Sequence, residues 1–153
     1  MTVLNEVASA RRGLMTRIDL CDSRVMSANT IAGVVVARSG ESGAAAVSSS
    51  ALVGQALGVT AYTSVNAPAT TGEECPAGRQ AEIVRRGQGY LNGEEAMALT
   101  DSVFVRFASG AGGTVLGSVR NDADSTTAVA NANIRVERAS TGPGPVLCSW
   151  TLS

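Results

Sequence analysis

The chain contains no histidine and no lysine, and aromatic residues make up only 3% of its 153 residues. Without imidazole there is no Ser-His-Asp or Cys-His pair, and without lysine there is no Ser-Lys dyad. The acidic pairs, Glu73-Glu74 and Glu94-Glu95, are sequence neighbours. On a strand such neighbours diverge to opposite faces, a poor arrangement for two acids that must flank one glycosidic bond. No enzyme activity is expected. Cys21, Cys75 and Cys148 are far apart and form no CxxC motif, so neither a metal site nor a cofactor is expected. Asn121-Asp122-Ala123-Asp124-Ser125 has oxygen ligands at alternate positions but lacks the later glycine and glutamate of a calcium loop, and reads as a turn closed by Asx hydrogen bonds.

Charge of either sign is also scarce: the formal net charge is −1, and like charges come no more than two together, as at Arg11-Arg12 and Arg85-Arg86. Phosphate backbones are held by concentrated basic patches, so nucleic acid is not an expected partner. No apolar run reaches the length of a membrane span or of a secretory h-region, and a soluble protein made in the cytoplasm is expected. Because aromatics are few, the core has to be built from Val, Ala, Leu and Ile, each burying less area than Phe or Trp. Partner surfaces are expected to contribute to stability, as in a homodimer or homotrimer. Every basic residue is arginine, whose planar guanidinium grips carboxylates through two hydrogen bonds.

What the chain does have is a succession of short β-type runs punctuated by glycine-rich turns. They lie at 32–38, 57–63, 82–91, 102–107, 127–129 extending to 134–137, and 146–152. Ile134 and Val136 alternate with Arg135 and Glu137, the pattern of a half-buried strand with a wet outer face. The runs at 82–91 and 102–107 read as a pair separated by the turn-like Asn92-Gly93-Glu94-Glu95, and the Ser/Ala-rich stretch 44–56 reads as an edge strand or a helical turn. This spacing, with no long helix, indicates an all-β sandwich or barrel.

The first residues differ. Val3, Leu4, Val7, Leu14, Met15 and Ile18 are mixed with Arg11, Arg12 and Arg17. They read either as an arm, over residues 1–24, whose apolar residues find a partner on the body or on a neighbouring subunit, or as an ordinary first strand and turn; residues 25–153 form the body. Trp150, the single tryptophan, is a core or subunit-interface anchor, with Phe104 and Tyr90 as lesser ones.

The order of these features is that of a known family. Thr30-Ile31-Ala32-Gly33 leads a strand, Leu57-Gly58-Val59 follows with Tyr62 beyond it, and Val84-Arg85-Arg86-Gly87-Gln88-Gly89-Tyr90 makes a basic, glycine-rich strand and turn. Asp101-Ser102-Val103-Phe104-Val105-Arg106 and an apolar C-terminal strand complete the series. The chain resembles the cement, or decoration, proteins of tailed-phage capsids over most of residues 25–153. The resemblance implies a jelly-roll-like β domain on the capsid's outer surface that self-associates and clamps neighbouring capsomers of the major capsid protein. A competing reading is a β-sandwich module of a phage tail or fibre that binds carbohydrate or a receptor. The shortage of aromatic stacking platforms weighs against it.

Overall fold

Gln80–Gly93 is the longest strand of the structure and the one on which the fold is organised. It combines β-branched Ile83 and Val84 with glycines at 87 and 89, where neighbouring backbone comes too close for a side chain: a Cβ at either position would strike the Arg17 or Leu14 carbonyl oxygen. A computed structural model describes residues 11–62 and 75–152. In chain order its elements are β1 (Met15–Met26), β2 (Val35–Ser39), β3 (Gly43–Ala46), α1 (Ser50–Gly54), β4 (Gly58–Thr60), β5 (Gln80–Gly93), β6 (Phe104–Arg106), β7 (Val119–Arg120), β8 (Ala128–Ala130), β9 (Ile134–Val136) and β10 (Gly144–Thr151). The class is all-β, as the spacing predicts, and the strands join in one ten-stranded mixed sheet.

Part of that sheet closes on itself. β1 pairs with β3 in parallel at Val25–Gly43 and Met26–Ala44, β3 pairs with β2, β2 with β4, β4 with β5, and β5 returns to β1 in antiparallel register from Gln80–Val25 to Gly89–Met15. The interior of this small barrel is filled by Met26, Ala32, Val34, Val36, Ala44, Leu57, Cys75, Ala81 and Ile83. Alternation along β2 and the residue before it sends Val34 and Val36 inward and Val35 and Ala37 outward, where they join a second and larger core. A strand buried on both faces has to be apolar at every position, which accounts for the continuous Val34-Val35-Val36-Ala37 run.

The larger core lies between the barrel wall and the rest of the sheet, and includes Val84, Leu91, Met97, Val105, Val136, Cys148 and Trp150. β10 runs antiparallel to β5 from Gly144–Gly93 to Thr151–Arg86 and carries β9 on its other side. The parallel contacts β1–β3 and β5–β7 set the sheet apart from the antiparallel strands of a jelly roll. Residues 44–56 contain the expected helical turn, α1, whose Ser49 hydroxyl accepts the Leu52 N–H at 3.3 Å, and most of β3, which is paired on both sides by β1 and β2 and so is not the edge strand expected there.

Two expectations need correction. The runs at 82–91 and 102–107 are not partners, because β7 lies between them, parallel to β5 and antiparallel to β6. Asn92 and Gly93 still belong to β5 and the chain turns only after them, so local turn chemistry is overridden by the long pairing with β10. The boundary expected at residue 24 falls inside β1, which is paired with β5 along its length. The physical reason is closure: without β1 the barrel would leave both β5 and β3 with unpaired edges.

Candidate functional site

β5 brings β1, β10 and β9 into one antiparallel group, and the register aligns side chains across it. Arg17 lies opposite Gln88, Gln88 opposite Ser149, and Ser149 opposite Arg135. In the adjoining row Ile18, Gly87, Trp150 and Ile134 are aligned, with Trp150 and Ile134 buried in the larger core. Because successive residues alternate faces, the first row is turned to solvent. There Arg17, Asp19, Arg86, Asn133, Arg135 and Ser149 line an open concavity of about 380 Å³. Arg17 Nε donates to Asp19 at 3.0 Å, Arg135 donates to Glu137 at 3.0 and 3.1 Å, and the Ser149 hydroxyl donates to the same Glu137 oxygen. These bonds, from Ser149 first and Arg135 second, hold the Glu137 carboxyl below its ordinary pKa.

The strand β1 is unusual in that residues 16–21 are all exposed, on both faces, even though one edge is hydrogen-bonded to β5. Ile18 and Leu20 are 46% and 40% accessible. Its register with β5 is broken near Met15, Ile18 and Leu20, and Arg17, Asp19, Asp22 and Arg24 are spaced along it; such bulges and charges deter pairing with a stray strand. A second concavity, of about 470 Å³ and mostly apolar, lies among Ile31, Val34, Ala45, Ala46, Val115 and Leu116.

The candidate contact residues separate into groups. Val3, Leu4 and Val7 lie outside the described residues. Arg11 stacks over the Tyr62 ring with its guanidinium carbon 4.3 Å from the centroid, Arg12 and Leu14 are half-buried, and Met15 packs against the larger core. The Gly13 N–H donates to the Tyr90 carbonyl at 2.6 Å and the Gly13 carbonyl accepts from Tyr62 at 2.7 Å, so this stretch is stitched to the body. Of the group, Arg17 and Ile18 are the exposed members of β1. Trp150 is buried and its indole N–H donates to the Val84 carbonyl at 2.8 Å, whereas Phe104 and Tyr90 are half-buried.

Sequence reasoning did not foresee a cluster of buried charge. Arg106, with no accessible side-chain surface, forks onto Glu94 through Nε and Nη2, the latter at 3.0 Å, and also donates to Asp124 at 2.6 Å and to Thr127 and the Ala108 carbonyl at 2.9 Å. Arg120 donates to Glu94 at 2.9 Å and to Asp122 at 2.6 Å. Asp124 also accepts the Gly112 N–H at 2.9 Å, and the Arg106 bond first, then this one, lowers its pKa. Asp122 accepts the Asp124 N–H at 3.0 Å, the Asx turn expected for this loop. Asp124, Ser125 and Thr126 all have positive φ, a conformation that the Asp124 bonds to Arg106 and Gly112 help to hold. Gly112 lies against Arg120 so closely that a Cβ would land on its guanidinium, which explains why the 109–113 loop is glycine-rich. The one signal in the sequence was Arg106 itself, a cation between Val105 and Phe107 in an otherwise apolar run.

This cluster is saturated with internal partners and reads as a structural clasp, while the exposed β1 and the arginine-lined concavity are surfaces. Among protein families, residues 11–148 match the one described as structural cement protein (E217 gp24/Pam3 gp6). No curated protein matches the chain. The match takes in every strand from β1 through β9 and most of β10, so the chain belongs to the phage structural cement protein family, whose members are structural components of the virion.

Proposed function

We propose that the protein binds the outer surface of the shell formed by the major capsid protein and clamps neighbouring capsomers against the outward pressure of packaged DNA. The observation that carries this reading is the family match over residues 11–148. The exposed stretch of β1 supports it, because a strand that is fixed along one edge and bare on both faces presents a rigid surface at little entropic cost on binding. Each contact is modest; its effect comes from repetition over many sites and from bridging two subunits at once. The protein acts there as a homodimer or homotrimer, in which partner surfaces add to a core that has few aromatic residues.

Co-sedimentation with undecorated shells tests the reading directly. The protein is expected to pellet with shells at a fixed ratio and to raise the temperature at which they rupture. Failure to bind intact shells, with the protein folded, refutes it.

A further inference from the structure

The arginine-lined concavity has a charge arrangement that points to a particular ligand group. Two of its three guanidiniums are already matched, Arg17 by Asp19 and Arg135 by Glu137. Arg86, exposed and in register between Leu20 of β1 and Thr151 of β10, makes no side-chain hydrogen bond or ion pair among the described residues. The concavity therefore carries one uncompensated positive charge, flanked by two neutralised pairs and by the polar side chains of Asn133 and Ser149.

We infer that Arg86 receives a single carboxylate from an acidic residue in an extended segment of the capsid shell, laid across β1, β5, β10 and β9. This rests on the cement reading given above and names the chemistry of its contact. A guanidinium offers two parallel N–H groups to one carboxylate, and Arg86 has both available. Arg17 and Arg135 are three strands apart, roughly 14 Å at the usual inter-strand spacing, which matches about four residues of extended chain. Nucleic acid is the less suitable anion, because Asp19 and Glu137 repel a continuous row of phosphates yet tolerate one carboxylate placed between them.

The test compares full-length wild-type protein with Arg86→Gln and Arg86→Glu in binding to undecorated shells, with thermal unfolding as a control on the fold. All three are expected to unfold at the same temperature, since the Arg86 side chain has no hydrogen-bond or ion-pair partner to lose among the described residues. Binding is expected to weaken about tenfold or more in Arg86→Gln and further in Arg86→Glu, and soluble polyglutamate is expected to compete with the wild type. If wild type binds shells and Arg86→Glu binds equally well, the inference is wrong and the cement reading stands; if wild type does not bind, the cement reading itself fails. Displacement by a double-stranded oligonucleotide at lower charge concentration than polyglutamate overturns the choice of a carboxylate.

Discussion

The barrel and the loop-bearing half of the sheet are held together by opposite means. Inside the barrel are small aliphatic residues, Met26 and Cys75, closed by a ring of backbone hydrogen bonds. In the other half β6, β7 and β8 are only two or three residues long, and the loops between them converge on Arg106 and Arg120. A hydrophobic interior tolerates changes of shape at modest cost, whereas a buried ionic cluster is costly to break from one side, because each ion removed leaves another without its counter-charge. The comparison shows how a chain with few aromatics fixes irregular loops: charge supplies the direction that aliphatic packing lacks.

The largest effect is expected from removing a barrel strand. Deleting residues 1–24 takes away most of β1 and should abolish cooperative thermal unfolding, whereas deleting residues 1–10 should preserve it; a folded 25–153 fragment would show that the ring need not be closed. Next comes the clasp. Arg106→Met leaves Glu94 and Asp124 without their main cation and should lower stability by about 3–5 kcal/mol in urea denaturation. In the barrel interior Ile83→Val should cost only about 0.5–1.5 kcal/mol. If the barrel substitution proves the more damaging, the contrast between the halves is reversed.

Acid sharpens the same contrast. Asp124 has a lowered folded pKa, so its stabilising effect is present above the ordinary carboxylate range, near pH 4, and fades as pH falls through the lowered value. Hydrogen exchange on lowering the pH should therefore reveal loss of protection at 107–113 and 121–127 before any loss in the barrel, where no carboxylate is buried among the described residues. The smallest effect concerns thiols. Cys148 is buried and its pKa is pushed up to about 12, Cys75 is also buried, and only Cys21 is exposed, with its own pKa raised by partial burial and then by Glu82. Native alkylation should modify Cys21 alone, slowly, and without change in stability.

Most strands were legible because period-two alternation or a continuous β-branched run marks them locally, as in Ile134-Arg135-Val136 and in Val34-Val35-Val36. Pairing was less so: nothing near Asn92-Gly93 reveals that β7 will come between β5 and β6, since that depends on residues about 25 positions further on. The first segment was ambiguous because its alternation is broken by bulges, which only the facing strand reveals. In the arginine-lined concavity Arg17 and Arg86 could be singled out, but Asn133, Arg135 and Ser149 join them through register between strands far apart in sequence. Arg106 escaped notice because a lone cation in a strand looks like a solvated side chain until its three-dimensional partners are in place.

The pairing of β1 with β5 also governs when the protein can mature. Its partners are separated by 55 residues at Val25–Gln80 and by 74 at Met15–Gly89, so β1 leaves the ribosome well before β5 and waits for it before it can settle. Long-range closure of this kind slows folding, and until it is complete the exposed Ile18 and Leu20 are accompanied by bare barrel-lining residues. Only a finished barrel presents β1 as an edge-anchored strip, so the surface proposed for shell contact exists only after that long-range closure.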